Sequence, residues 1–257
     1  MSLASLFNIR GRTAIVTGGA TGIGLQMADA LAEAGCNLVI CSRNVDRCRE
    51  ATARLGDHGV EVLALPCDVS DEEQVQGVVQ STHSAFGGID ILINNSGTTW
   101  GASPEDTPRA RWDRVLAVNL TGTFLFSKHV GKHMIEKGRG KIINVASVAA
   151  YTGMEAEVMN AIAYNTSKGG VVSFTRDLGV KWAPLGINVN AIAPGWFPSH
   201  MSQWVLEHQG EKLLREIPLK RFGGSEDLKG IALYLASPAS DYVTGQTIVV
   251  DGGLIVR

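Results

Sequence analysis

Thr13-Ala14-Ile15-Val16-Thr17-Gly18-Gly19-Ala20-Thr21-Gly22-Ile23-Gly24 is the stretch whose reading decides the fold. Thr13 to Thr17 is a short apolar and β-branched run, the pattern of a buried strand. Ile23, Met27, Ala30, Leu31 and Ala34 then recur at helical spacing, and Gly35 ends the helix. Between strand and helix the glycines follow G-x-x-x-G-x-G (Gly18, Gly22, Gly24) rather than G-x-G-x-x-G. Such a turn lets the backbone reverse tightly and come close to a pyrophosphate. The helix N-terminus adds free N–H groups and the positive end of its dipole. The candidate contacts are Gly18, Thr21, Gly22, Ile23 and Gly24. A plain strand-to-helix turn is the alternative, and the rest of the chain decides between them.

Outward from this stretch, short apolar runs alternate with longer helical patterns. Strands are expected at 37–41, 62–65, 89–94, 141–146, 187–192 and 246–250. Helices are expected at about 45–55, from Ser70-Asp71-Glu72-Glu73 to about Phe86, over Arg111–Lys137 as one long helix, and from near Asn160. Apolar strands each separated by a helix imply a parallel sheet covered on both faces. The 257 residues suit one large α/β domain, and no repeat or linker divides them.

Lys plus Arg is 23 and Asp plus Glu is 25, a formal net charge of −2, which gives nucleic acid no basic face to bind. The four cysteines, Cys36, Cys41, Cys48 and Cys67, form no C-x-x-C and have no clustered His, so no metal site is expected. They read as small apolar fillers suited to a reducing compartment. Met1 to Arg12 lacks the pattern of a signal peptide, and no apolar run is long enough to span a bilayer, so a cytoplasmic location is the expectation.

The end of the second strand discriminates between dinucleotides. An acidic residue there binds a ribose 2′-hydroxyl, whereas an Arg accommodates a 2′-phosphate. Here Cys41-Ser42-Arg43-Asn44 lacks the acid and carries Arg43, which points to NADP(H), with NAD(H) the alternative. Asp68 and Val69 follow the third strand, where Asp68 could accept from an adenine amino group; an ordinary turn Asp is an equal reading. Asn95-Ser96-Gly97 follows the fourth strand, at the end of the sheet where ligands bind.

Tyr164 and Lys168 stand four residues apart, one turn along a helix and on one face. A phenol of pKa about 10 is a poor base at neutral pH, and a neighbouring ammonium lowers that value. Tyr164 is therefore the candidate general acid/base and Lys168 its tuner. Ser147 follows the fifth strand and can hydrogen-bond a substrate oxygen. Asn119, amid Val118 and Leu120, is either a satisfied core amide or, beside the other three, the holder of water in a proton relay.

The chain resembles the short-chain dehydrogenase/reductase family over essentially its whole length. The resemblance rests on the glycine turn, Asn94-Asn95-Ser96-Gly97, Asn119, Ser147, Tyr164-x-x-x-Lys168 and Pro194-Gly195. It implies a single Rossmann-type, doubly wound domain with a seven-stranded parallel sheet, and a Ser-Tyr-Lys centre supported by Asn. It also implies contact of Lys168 with the nicotinamide ribose, of Pro194, Gly195 and Phe197 with the nicotinamide, and usually a homotetramer. Two features depart from the family's common pattern. Ser96 stands in a common Asn-Asn-Ala-Gly. Ser147 and Tyr164 are 17 positions apart, where many members have about 13, so roughly four residues are added beside the substrate cleft.

The segment 196–216 is the variable substrate lid of this fold. Met201, Trp204 and Val205 fall on one helical face, either lining the substrate or packed on the body. This apolar character favours a 3-oxoacyl thioester or other apolar ketone over a gluconate-like sugar acid, and Arg109 and Arg111 read as solvated. A non-catalytic dinucleotide sensor is the alternative of another class, and it has no need of the four polar residues together.

Overall fold

The computed structural model describes residues 2–257. Its strands are β1 (Thr13–Thr17), β2 (Asn37–Ser42), β3 (Val62–Pro66), β4 (Ile91–Asn94), β5 (Gly140–Val145), β6 (Ile187–Pro194) and β7 (Thr247–Val250). They form one all-parallel sheet in the order β3-β2-β1-β4-β5-β6-β7. The helices are α1 (Leu3–Leu6), α2 (Gly22–Glu33), α3 (Val45–Gly56), α4 (Glu72–Phe86), α5 (Arg109–Leu116), α6 (Gly122–Lys137), α7 (Ile162–Trp182), α8 (Gln203–Glu216) and α9 (Lys229–Ala236).

Strand alternation builds two cores. Ala14, Val16, Leu38, Ile40, Ile91 and Ile93 face one side, against α2, α3 and α9. Ile15, Val39, Leu92, Ile142 and Val189 face the other, against α4 and α6. Both faces are covered, which is why the strands read as continuous apolar runs. A fully buried side chain such as Ile15 or Phe126 contributes roughly 1.5–3 kcal/mol by leaving water. This is the doubly wound Rossmann-type domain that the sequence implies. The sheet order reverses between β1 and β4, so the turns after these strands meet at the switch point, where such sheets bind ligands.

Two expectations need correction. The expected helix Arg111–Lys137 begins at Arg109 and is broken by a π turn over Ala117–Thr121, which contains Asn119. Within Ser70-Asp71-Glu72-Glu73 the cap of α4 is Asp71, its side chain accepting from the N–H groups of Glu73 and Gln74. Met201 precedes α8 rather than lying on it, so only Trp204 and Val205 share the helix. Helix α9 is an addition to the expected elements; its Ala232, Leu235 and Ala236 complete the α2 side of the core. Among the described residues no helix is long and apolar enough to cross a membrane.

Candidate active site

A cleft of about 1620 Å³ runs along the C-terminal ends of the strands. Every residue singled out for cofactor contact lines it, from Gly18 to Phe197, as do Ser147, Tyr164 and Lys168; Asn119 lies behind its wall.

The glycine turn fits a group that demands closeness. A Cβ on Gly24 would lie 2.3 Å from both Asn95 Nδ2 and the Gly18 carbonyl oxygen, and Gly18 itself has φ +64°. Thr21, the N-cap of α2, makes no side-chain cap, and the first turn carries no acidic residue. The leading N–H groups of α2 therefore face the cleft without a charged competitor, which suits a phosphate. Thr17 and Asn95 lock this turn to β4. Thr17 Oγ1 accepts from the backbone N–H groups of Asn95 (3.0 Å) and Ser96 (2.9 Å). Asn95 Nδ2 donates to the carbonyls of Thr17 (3.0 Å) and Gly18 (3.1 Å).

At the end of β2, Ser42 Oγ donates to the Asn44 carbonyl at 2.9 Å. The Asn44 side chain caps α3 by accepting from the Arg47 N–H at 3.2 Å. Asn44 thus positions the turn, leaving its side chain committed. Arg43 and Arg47 both line the cleft, and neither joins an ion pair among the described residues. Asp46 pairs with Arg49 instead. Arg47 was not among the candidates; its position four residues after Arg43 was the available clue.

Asp68 is more committed than expected. Its carboxylate accepts from the Ser70 N–H (3.0 Å) and hydroxyl (2.6 Å) and from Arg114 NH2 (2.8 Å). Burial opposes the charge, but the Arg114 guanidinium and Ser70 outweigh it and hold Asp68 down at about 2. Arg114 comes from α5, and nothing in the sequence pointed to it. Val69 is buried, packed so tightly on Gly122 that a Cβ there would meet its Cγ2 at 2.7 Å.

Asn119 is buried and fully used. Its Oδ1 accepts from the Thr98 N–H (2.8 Å), and its Nδ2 donates to the Thr98 carbonyl (3.0 Å) and to Ser167 Oγ (2.9 Å). The π turn widens the helix at this point, and its side chain ties the loop after β4 to α7. Ser147 caps a short 3₁₀ turn, its Oγ accepting from the Ala149 N–H at 3.2 Å.

Helix α7 carries Tyr164 and Lys168 on one face, as their spacing requires. Lys168 is buried, and its Nζ donates to the Val145 carbonyl at 2.6 Å, 5.7 Å from the centre of the Tyr164 ring. Burial pushes Lys168 down to about 8. Burial also pushes the Tyr164 phenol above its ordinary value, while the Ser147 hydroxyl beside it pulls downward. The ammonium is turned to a carbonyl, and desolvation dominates both groups.

Pro194 ends β6, and Gly195 follows it, its N–H donating to the Val250 carbonyl at 2.9 Å. Phe197 is buried, with its ring against Gly223. Trp196, Met201, Trp204 and Val205 line the cleft from one side, and Met154, Val158 and Met159 of the longer Ser147–Tyr164 loop line it too.

A family model described as enoyl-(acyl carrier protein) reductase matches residues 18–255. The chain belongs to the short-chain dehydrogenase/reductase family. It is 38% identical to a 2-dehydro-3-deoxy-D-gluconate 5-dehydrogenase from Dickeya dadantii, over 99% of this chain and 100% of that one. It is 34% identical to the 3-oxoacyl-acyl-carrier-protein reductase of Aquifex aeolicus, over 96% of this chain and 98% of that one. A crystal structure of a gluconate 5-dehydrogenase from Burkholderia cenocepacia, in complex with NADP and tartrate, superposes with a TM-score of 0.94. It shares 35% identity and covers 100% of both chains. As a member of this family the protein is an oxidoreductase acting on CH–OH and keto groups.

Proposed function

We propose that this short-chain dehydrogenase/reductase is an NADP(H)-dependent ketoreductase acting on a largely apolar ketone, of which a 3-oxoacyl thioester is the leading candidate. The α2 N-terminus, with Gly18, Thr21, Gly22, Ile23 and Gly24, holds the pyrophosphate. Arg43, with Ser42 and now Arg47, holds the 2′-phosphate. Asp68 and Val69 bound the adenine, and Asn95, Ser96, Gly97, Pro194, Gly195 and Phe197 bound the nicotinamide side. The bound cofactor supplies the hydride. Tyr164 holds the proton for the substrate oxygen, Ser147 hydrogen-bonds that oxygen, and Lys168 positions the nicotinamide ribose and holds positive charge behind the phenol. Asn119 fixes the Thr98 loop and α7 around this centre.

The observation that carries the substrate reading is the distribution of cations in the cleft. Its arginines are Arg43, Arg47 and Arg114, on the β2–β3 side, and its only lysine is Lys168. The cleft is also lined by Met154, Met159, Trp196, Met201 and Trp204, with Glu157, Asn160 and His200 among its polar side chains. Arg109 pairs with Asp113, and Arg111 stacks over the Trp100 ring at 4.1 Å. A sugar acid would find no guanidinium here, although relatives of that activity keep it as the second reading. A dinucleotide sensor is disfavoured, since it requires none of the proton-handling residues. NADPH oxidation with acetoacetyl-CoA and a cyclic ketone, set against 5-keto-gluconate, tests the choice.

The assembly we infer is a homotetramer formed through α6 and α7. Phe124 (46% exposed) and Val180 (73% exposed) leave an apolar face on these helices that suits burial against a second copy. Light scattering after size exclusion measures it. The four buried free thiols support a reducing, cytoplasmic location.

A further inference from the structure

The longer loop between Ser147 and Tyr164 is anchored at two places. On one side Lys212 of α8 forms an ion pair with Glu155. Glu157 and Glu216 add further negative charge around the same ammonium, which is held above its ordinary lysine value. The Glu155 carbonyl accepts from the N–H groups of Val158 (2.9 Å) and Met159 (3.0 Å). A tight turn therefore connects the paired carboxylate to two residues that line the cleft. On the other side the Asn160 carbonyl accepts from the Ala102 N–H at 2.9 Å. The Asn160 amide, oriented to satisfy both its ends, donates to the Ala102 carbonyl (2.9 Å) and accepts from the Ser103 N–H (3.2 Å).

Trp204, His208 and Lys212 recur every four residues on α8, so they lie along one stripe of the helix. The Trp204 ring stacks on His208 with centroids 4.5 Å apart. The stripe that reaches Glu155 through Lys212 therefore reaches the cleft through Trp204. Loop and helix meet as two parts of one wall.

We propose that the loop 154–160 and α8 move as a single substrate-facing wall, with Lys212 and Asn160 as positioning residues that set which ketones are accepted. The inference rests on the ketoreductase reading for its substrates but not for its mechanics. Met154, Val158 and Met159 are the side chains that contact substrate. Lys212 acts through them from the lid side, and Asn160, which itself lines the cleft, ties the loop to Ala102 and Ser103.

Hydrogen–deuterium exchange of the full-length protein, wild type and Lys212→Ala, separates the mechanics from the chemistry. Faster exchange in both 152–160 and 203–216, with NADPH affinity held, is the expected result. An exposed ion pair has modest strength, so KM for a bulky ketone should rise about two- to fivefold in Lys212→Ala, with kcat little changed. Lys212→Glu should raise KM further, and adding Glu155→Lys should bring it back toward wild type. Asn160→Ala should speed exchange at 100–104 as well as in the loop. Unchanged loop exchange in Lys212→Ala, or no rescue by the charge swap, overturns the proposal. If the wild type reduces no ketone, the ketoreductase reading falls, while the exchange data still decide the coupling.

Discussion

The Lys168 ammonium donates to the Val145 carbonyl at 2.6 Å and stands 5.7 Å from the centre of the Tyr164 ring. The cation is thus held by backbone of β5, two strands from β1 and its glycine turn, and not by the phenol. Its position is set by the sheet, and α7 delivers Tyr164 to a fixed charge. That arrangement makes the two residues separable by mutation.

Tyr164→Phe should remove the proton donor and leave the cavity intact. Loss of a positioned general acid lowers kcat by about 10²–10⁴-fold. NADPH binding, followed by its fluorescence, should stay within a small factor of wild type. Substantial residual turnover would place the proton elsewhere.

Lys168 makes the fold pH-dependent in a definite window. Its folded pKa is about 8, below the unfolded value of 10.5. Between these values the unfolded chain binds a proton that the folded chain has lost, so stability from this group rises with pH across about 8 to 10.5. Below that window the buried charge opposes folding by roughly 3 kcal/mol. Lys168→Met should therefore melt higher than wild type at pH 7 and lose this part of the alkaline rise, while losing turnover. Thermal melts from pH 7 to 10.5 measure both.

Arg43→Ala, and more strongly the Arg43→Ala/Arg47→Ala pair, should weaken NADPH. Hydrogen bonds to a charged group contribute about 1.5–3 kcal/mol, so KM for NADPH should rise roughly 10- to 100-fold. KM for NADH should change little, because NADH brings no 2′-phosphate. An equal loss for both cofactors would assign the two arginines a structural role.

Gly24→Ala would bring a methyl to 2.3 Å from Asn95 Nδ2 and from the Gly18 carbonyl. Backbone is one of the obstacles, so the turn must open. Overpacking of this kind costs about 1–3 kcal/mol, and NADPH affinity should fall with the melting temperature. Calorimetry and a binding titration on one preparation test the link.

What the sequence revealed was local. Thr13 to Gly24 encodes strand, turn and helix within one stretch, and Tyr164 and Lys168 share a helix face through spacing alone. The unforeseen features join distant parts of the chain. Thr17 grips Asn95 and Ser96 across 78 and 79 positions. Arg114 neutralises Asp68 from 46 positions away. The π turn at Asn119 lies inside a run without glycine or proline between Arg109 and Thr121, so no breaker in the sequence marks it. The direction of the Tyr164 shift depends on burial, which spacing does not reveal.

The most direct test is NADPH oxidation by the purified protein, wild type and Tyr164→Phe, with acetoacetyl-CoA, a cyclic ketone and 5-keto-gluconate, and NADH in parallel. Turnover of the thioester or the cyclic ketone with NADPH is expected in wild type, with little of the sugar acid and near loss in Tyr164→Phe. Turnover confined to 5-keto-gluconate, or full activity in Tyr164→Phe, would contradict the ketoreductase reading.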